Sequence, residues 1–228
     1  SISTYQQHKG TIMNAIGGYF GLDKTHGCFA IDGVAVNSAR NALRYIIRAY
    51  SIKAMWVPYY TCPVVWDALR SENIDMHFYS INENLFPIIP SASKNAFVLV
   101  NNYFGICGNN VQKLSHIYPN LIVDNAQAFY APRVSFADFS SPRKFFGLPD
   151  GGIARCDAIV SENLQISVSW DRCLHLLKRA DCGATAGYSD FVDNDEALIG
   201  RPVEYMSNLT KQMLGNIDYY GARKIRLQ

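Results

Sequence analysis

Apolar residues recur at helical spacing after Ser38: Ala39, Ala42, Leu43, Ile46, Ile47 and Tyr50 fall on one face. The spacing predicts a helix over 39–50 with Ser38 as N-cap, since a serine oxygen can accept an N–H left unpaired by the first turn. Ala54-Met55-Trp56-Val57 reads as a short apolar strand stopped by Pro58. A helix over 63–71, a strand over 76–80, the fully apolar run Phe97-Val98-Leu99-Val100 and a helix over 110–117 follow. Leu121-Ile122-Val123 is a further apolar strand, and 153–156 another. Strands that are apolar on both faces and alternate with helices predict a mostly parallel central sheet covered on both sides, a three-layer α/β/α fold. Such sheets bind ligands at the carboxyl ends of their strands. Tyr59-Tyr60-Thr61, Asn101-Asn102 and Asp124 each follow a predicted strand end, so a polar pocket is expected there.

Beyond Gly152 the pattern weakens. Residues 169–179 read as helical, 181–202 as irregular, and 205–226 as a longer helix interrupted at Gly215 and Gly221. Composition changes this picture little. Apolar residues make up 49% of the 228 and charged residues 18%, which places the chain among folded rather than disordered proteins. The net charge is +2 with no lysine/arginine block, which argues against nucleic acid as a partner. Arg40, Arg44 and Arg48 read as a solvated helix stripe.

Cys28, Cys62, Cys107, Cys156, Cys173 and Cys182 are scattered, as are the histidines, so no metal site is expected and free thiols in a reducing cytoplasm are predicted. The first sixteen residues are polar, and no apolar run approaches the about 20 residues needed to cross a bilayer, so neither a leader nor a membrane span is expected. Gly17-Gly18, beside Tyr19-Phe20, reads equally as a substrate-facing loop or a plain turn.

The chemistry gathers around two positions. Lys144 sits in Ser140-Ser141-Pro142-Arg143-Lys144-Phe145-Phe146-Gly147, and Asp124 lies upstream in Val123-Asp124-Asn125-Ala126-Gln127. A lysine beside two phenylalanines and a proline should lose hydration, which favours a neutral, nucleophilic amine. A buried aspartate is the counter-charge that a pyridinium nitrogen needs. The pair points to pyridoxal phosphate (PLP) held by Lys144. Taken alone, Lys144 also reads as a surface lysine and Asp124 as a helix cap or magnesium ligand. Ser141-Pro142-Arg143-Lys144 spells the S-x-x-K of penicillin-binding enzymes, but the chain has no K-T-G partner motif.

At these residues the chain resembles the DegT/DnrJ family of nucleotide-sugar aminotransferases, of PLP fold type I. Ser38-Ala39-Arg40-Asn41-Ala42-Leu43 stands where the family has Ser-Gly-Thr-x-Ala-Leu, and Val57-Pro58-Tyr59-Tyr60-Thr61 where it has Val-Pro-Ser-x-Thr. Phe104-Gly105 corresponds to a Tyr-Gly loop, and Asp124-Asn125-Ala126-Gln127 matches Asp-x-Ala-Gln. Pro142-Arg143-Lys144 and Gly147-Leu148-Pro149-Asp150-Gly151-Gly152 match Pro-x-Lys and Gly-x-x-Asp-Gly-Gly. Tyr205-Met206-Ser207 resembles the start of a later helix.

The resemblance implies a PLP-transferase large domain over 1–228, with an N-terminal arm over 1–16. Residues 157–228 form a partly irregular region ending in a helix that would lead to a small domain lying outside this sequence. It implies Lys144 as Schiff-base lysine and Asp124 as partner of the pyridine nitrogen, the two catalytic residues, with Gln127 against the cofactor's phenolic oxygen. Ser38, Ala39 and Arg40 would hold the phosphate at a helix N-terminus, and Tyr60, Ser140 and Ser141 would complete the cofactor contacts. It further implies a keto-sugar nucleotide and an amino-acid donor as substrates, and a homodimer. The chain departs from the family at Arg40, which replaces a small residue, at Cys62, where a stacking aromatic is usual, and at Phe139, where a serine is usual. An Asn-x-Arg signature is not recognisable at 203–205. These departures keep two alternatives open: a catalytically degenerate PLP-fold module for binding or assembly, and a PLP lyase or epimerase.

Overall fold

The computed structural model describes residues 21–22, 32–90 and 95–227; the predicted arm over 1–16 and the Gly17-Gly18 loop lie outside them. The predicted helices and strands form close to where the apolar pattern puts them: α1 (Ala39–Ala49), β2 (Ala54–Pro58), α2 (Pro63–Ser71), β3 (Asp75–Ile81), β5 (Val98–Asn101), α3 (Gly108–Ile117), β6 (Leu121–Asp124) and β8 (Gly152–Arg155). Ser38 caps α1, its Oγ accepting from the Asn41 N–H at 3.2 Å. Three strands were not expected: β1 (Val34–Val36), the two-residue β4 (Pro87–Ile88) and β7 (Ala137–Ser140).

The strands make one eight-stranded sheet in the order β1-β8-β7-β6-β5-β2-β3-β4. From β7 across to β3 the neighbours are parallel, and the pairings at both edges are antiparallel. Side-chain alternation assigns the two faces. Leu99 and Ile122 join Leu43, Ile46 and Leu69 in the core under α1 and α2. Val98, Val100, Leu121 and Val123 point the other way and pack with Val111 and Leu114 of α3. The molecule is therefore a mixed α/β fold in three layers, as the alternation of elements predicts.

Near its N-terminus α1 meets the glycine pair. Gly151 adopts φ +126 and donates its N–H to the Asn37 carbonyl at 2.9 Å. A Cβ on Gly152 would stand 2.2 Å from the Ser38 oxygen and 2.5 Å from the Ala39 nitrogen, so only glycine allows this approach. The arginine stripe of α1 is not solvated as expected. Arg44 and Arg48 both pair with Glu72, at 2.7 and 2.9 Å, tying α1 to the end of α2, and this holds the Glu72 carboxyl below its usual range despite burial.

The C-terminal part corrects two expectations. The stretch 181–202, read as irregular, contains α5 (Tyr188–Ala197) after α4 (Leu174–Cys182). The helix expected over 205–226 is two helices, α6 (Asn208–Gly215) and α7 (Tyr219–Arg226). The break falls after Gly215, but Gly221 does not interrupt: its N–H donates to the Asp218 cap at 2.9 Å inside the first turn of α7. Among the described residues no helix is long and apolar enough to cross a membrane, and no cluster of His, Cys, Asp and Glu has metal-site geometry.

Gly152→Ala forces backbone of α1 away from β8 and is expected to cost about 3 kcal/mol. Urea unfolding measures it; a midpoint equal to that of the parent chain contradicts this close approach.

Candidate active site

The sheet order reverses between β2 and β5. From β2 the chain moves outward to β3, and from β5 it moves the opposite way to β6 and β7. Reversal separates the loops leaving the carboxyl ends of two adjacent parallel strands and leaves a crevice. A cavity of about 240 Å³ occupies it, lined by Tyr60, Thr61 and Cys62 after β2 and by Asn101, Asn102, Tyr103 and Phe104 at β5. Asp124, Ala126 and Gln127 follow from β6, and Lys144 from the short 3-10 turn Pro142–Lys144 after β7. A larger hollow of about 650 Å³ lies between the β3–β4 hairpin and α3, but none of the predicted site residues line it.

Each wall has a local cause. Asn101 donates its amide to Thr61 Oγ1 at 2.9 Å, bridging the crevice, while its Oδ1 is buried with no hydrogen-bond partner among the described residues. Tyr60 and Tyr103 stack at 5.4 Å, and the Tyr103 hydroxyl donates to the Tyr60 carbonyl at 2.7 Å. Burial pushes the Tyr103 phenol well up, so it remains a neutral donor. Phe104 has φ 55 and Gly105 φ +76. That turn lets the Phe104 N–H reach Gln127 Oε1 at 2.8 Å, so the glutamine's oxygen is committed and its amide nitrogen is left to the cavity.

Asp124 ends β6 and accepts the Ala126 N–H at 2.7 Å through Oδ1. Protein surrounds it except toward the cavity. Desolvation raises its carboxyl to about 6, against the opposing pull of the Ala126 hydrogen bond and the Lys144 charge. Lys144 itself is exposed, which corrects the desolvation expected from its neighbours. Phe145 and Phe146 turn away and pack on Phe129, at 5.6 and 5.1 Å, and Phe146 also meets Tyr219 at 5.3 Å.

Of the residues singled out from sequence, Lys144, Asp124, Gln127 and Tyr60 share this cavity. Ser38, Ala39, Arg40, Ser140 and Ser141 are not in its lining. Ser38 is buried and spends its hydroxyl as the α1 cap. Ser140 and Ser141 are buried, and the Ser141 carbonyl closes the lysine turn by accepting the Lys144 N–H at 3.1 Å. Arg40 is partly buried, and its guanidinium is depressed by desolvation and by Arg143. Sequence reasoning missed Tyr103. Its signal was position: it follows Asn101-Asn102, already recognised as a strand end.

No protein-family model and no curated protein matches this chain. Solved structures do. The sugar aminotransferase CalS13 from Micromonospora echinospora is 12% identical, over 72% of this chain and 56% of that one, with a TM-score of 0.44. NtdA from Bacillus subtilis, solved with bound cofactor PMP, is 13% identical over 57% of this chain and 33% of that one, at 0.43. L-threonine-O-3-phosphate decarboxylase from Porphyromonas gingivalis is 17% identical over 55% and 45%, at 0.43. This chain spans about a third to just over half of the length of these proteins. Similarity of this extent leaves the chemistry to be argued from the chain's own residues.

Asp124 gives that chemistry a stability signature. Its folded carboxyl titrates near 6 and its unfolded one near the usual 3.8, so the folded state holds the proton more tightly. Its contribution is present below pH 3.8 and is lost as pH rises through 6, a change of about 3 kcal/mol. Urea unfolding across pH 4–8 should show Asp124→Asn lacking this decline. Parallel stability curves for the two proteins mean that Asp124 is not desolvated.

Proposed function

We propose that the chain binds PLP through Lys144 and is an aminotransferase of the nucleotide-sugar type. It would transfer an amino group from an amino-acid donor to a keto-sugar nucleotide in polysaccharide or O-antigen biosynthesis, working as a homodimer. The observation that carries the PLP reading is the placement of Lys144, Asp124 and Gln127 in one cavity at the sheet's reversal point. The sugar-nucleotide class rests on the motif resemblance.

The donor set suits an aldehyde on a heteroaromatic cation. Lys144 supplies an amine open to the cavity. Asp124 supplies a carboxyl that its surroundings hold near 6, and a positive ring nitrogen beside it favours the ionised form. Gln127 has its oxygen tied back to Phe104 and keeps an N–H donor for a ring oxygen. PLP, when bound, supplies an electron sink for carbanion chemistry. The chain's part is then positional and protonic. Lys144 Nζ would carry protons to and from the substrate carbon, Asp124 would keep the ring nitrogen charged, and the Tyr60–Tyr103 stack would form one wall of the cavity.

A second reading is a PLP-fold binding or assembly module without turnover. It is favoured by Cys62, which lines the cavity where the resemblance calls for a stacking aromatic, and by the Ser38–Arg40 segment standing outside the lining.

One experiment separates the two. The purified chain is mixed with PLP, its visible spectrum recorded, borohydride added, and the Lys144 peptide weighed by mass spectrometry. The aminotransferase reading expects a visible band in the parent chain, none in Lys144→Ala, and a reduced PLP adduct on Lys144. A chain that stays colourless and unlabelled with excess PLP removes the enzymatic reading and leaves the module.

A further inference from the structure

Helix α7 has no buried residue, and a helix of this length is marginal without partners. Rings and cations seat it instead. Tyr219 stacks on Phe129 at 6.1 Å and meets Phe146 nearly at right angles at 5.3 Å. One turn on, Arg223 lies over the Tyr130 ring at 5.9 Å, while the Tyr130 hydroxyl donates to the Tyr219 carbonyl at 3.2 Å. In the last turn Arg226 holds Phe145 twice. Its Nη2 donates to the Phe145 carbonyl at 2.7 Å, and its guanidinium carbon stands 4.8 Å from the centre of the Phe145 ring. A planar guanidinium combines the two, because its N–H groups point along its plane while its face is left for the ring.

These contacts fall on two segments of the candidate site. Phe145 directly follows Lys144, and Phe129 and Tyr130 lie just beyond Gln127. The segments also meet each other, Phe129 packing on Phe145 at 5.6 Å. Phe145 is thus restrained through its backbone and its side chain. Its N–H donates to the Pro142 carbonyl at 2.9 Å, its carbonyl accepts from Arg226, and its ring meets Phe129 and Arg226. Lys144 is exposed, so the direction in which its amine leaves the turn depends on the backbone that carries it. That backbone is fixed on one side by the Lys144 N–H on the Ser141 carbonyl, and on the other by Phe145.

We propose that Arg226, supported by Arg223, is a positioning residue for Lys144. Helix α7 clamps the residue after the lysine to the segment after Gln127, and so holds amine and amide in a fixed relation across the cavity. Neither arginine lines the cavity; each acts through a neighbouring ring. The consequence for PLP capture rests on the function proposed above, whereas the restraint on the turn does not. An aldehyde borne on a flat ring that the cavity walls orient must meet the amine along one approach, so a restrained turn favours it. A small aldehyde, which needs no orientation, gains nothing from the same restraint.

The test follows the full chain by amide hydrogen exchange and by the rates at which Lys144 is labelled by PLP with borohydride and by formaldehyde with borohydride. Arg226→Gln should speed exchange of the Lys144–Phe146 amides about tenfold, since a charge-assisted hydrogen bond and a cation–π contact are lost together. It should slow PLP labelling of Lys144 about fivefold or more, and leave formaldehyde labelling and exchange in β5 and β6 at parent rates. Arg226→Lys, which keeps a cation but not the fork, should fall between. Arg223→Gln, with the longer contact, should act in the same direction and more weakly. A parent chain that takes up no PLP removes the enzymatic reading but not this one: faster exchange at the lysine turn then still supports the clamp. Unchanged exchange at the turn, or exchange rising equally in β5 and β6, overturns it. PLP labelling at the parent rate despite faster exchange, or formaldehyde labelling that falls in step with it, overturns the positioning role.

Discussion

The reversal of strand order between β2 and β5 is the constraint from which the site follows. The β2-α2-β3 crossover lays its helix on one face of the sheet, and β5-α3-β6 lays its helix on the other. Right-handed crossovers running in opposite directions must do this. Loops leaving β2 and β5 therefore diverge, and backbone that would otherwise pair is replaced by side chains. The Asn101–Thr61 hydrogen bond and the Tyr60–Tyr103 stack span the resulting gap. Polar residues at those strand ends are tolerated because they face a crevice rather than a core.

Much of this was legible in the chain, for a physical reason. The central strands Val98–Asn101 and Leu121–Asp124 are buried on both faces, so every side chain must be apolar until the strand runs out into the crevice. Strand β7 was not legible because its burial is polar. Asp138 is 1% exposed and is held by Arg155 at 2.6 Å, while Ser140 is also buried. Burial lifts the Asp138 carboxyl even though Arg155 pulls it down, a compensation that exists only once β7 and β8 have paired. Helix α5 was missed for a related reason: among its residues only Asn194 is buried, so no apolar stripe announces it.

The site was legible where function depends on strand ends and obscure where it depends on packing. Asp124 ends a strand, and Gln127, Tyr60 and Lys144 each follow one, so the topology brings them together. The surroundings of Lys144 were misread because sequence neighbours were taken as spatial neighbours. Lys144 ends the 3-10 turn Pro142–Lys144, and Phe145 and Phe146, which lie beyond it, go to the aromatic group around Phe129 and Tyr219 while the lysine is exposed. Ser140 and Ser141, read as ligand contacts, are buried, and the Ser141 carbonyl supports the turn by accepting the Lys144 N–H.

Asp124 and Lys144 then define an electrostatic asymmetry in which folding and binding are linked. The carboxyl is desolvated and held near 6, the amine is exposed, and the attraction between them only partly offsets burial of the acid. At neutral pH an ionised Asp124 is a source of strain in the free chain, and Lys144 is too well solvated to relieve it. A cation seated beside Asp124 recovers that free energy, so any ligand presenting one stabilises the fold by the same amount that the fold contributes to its binding. Discrimination follows: a neutral ring of the same shape gains the cavity walls but not the carboxylate. On the proposed function the acid at the end of β6 would select for charge, while the amine after β7, free of its aromatic neighbours, would be available for covalent chemistry.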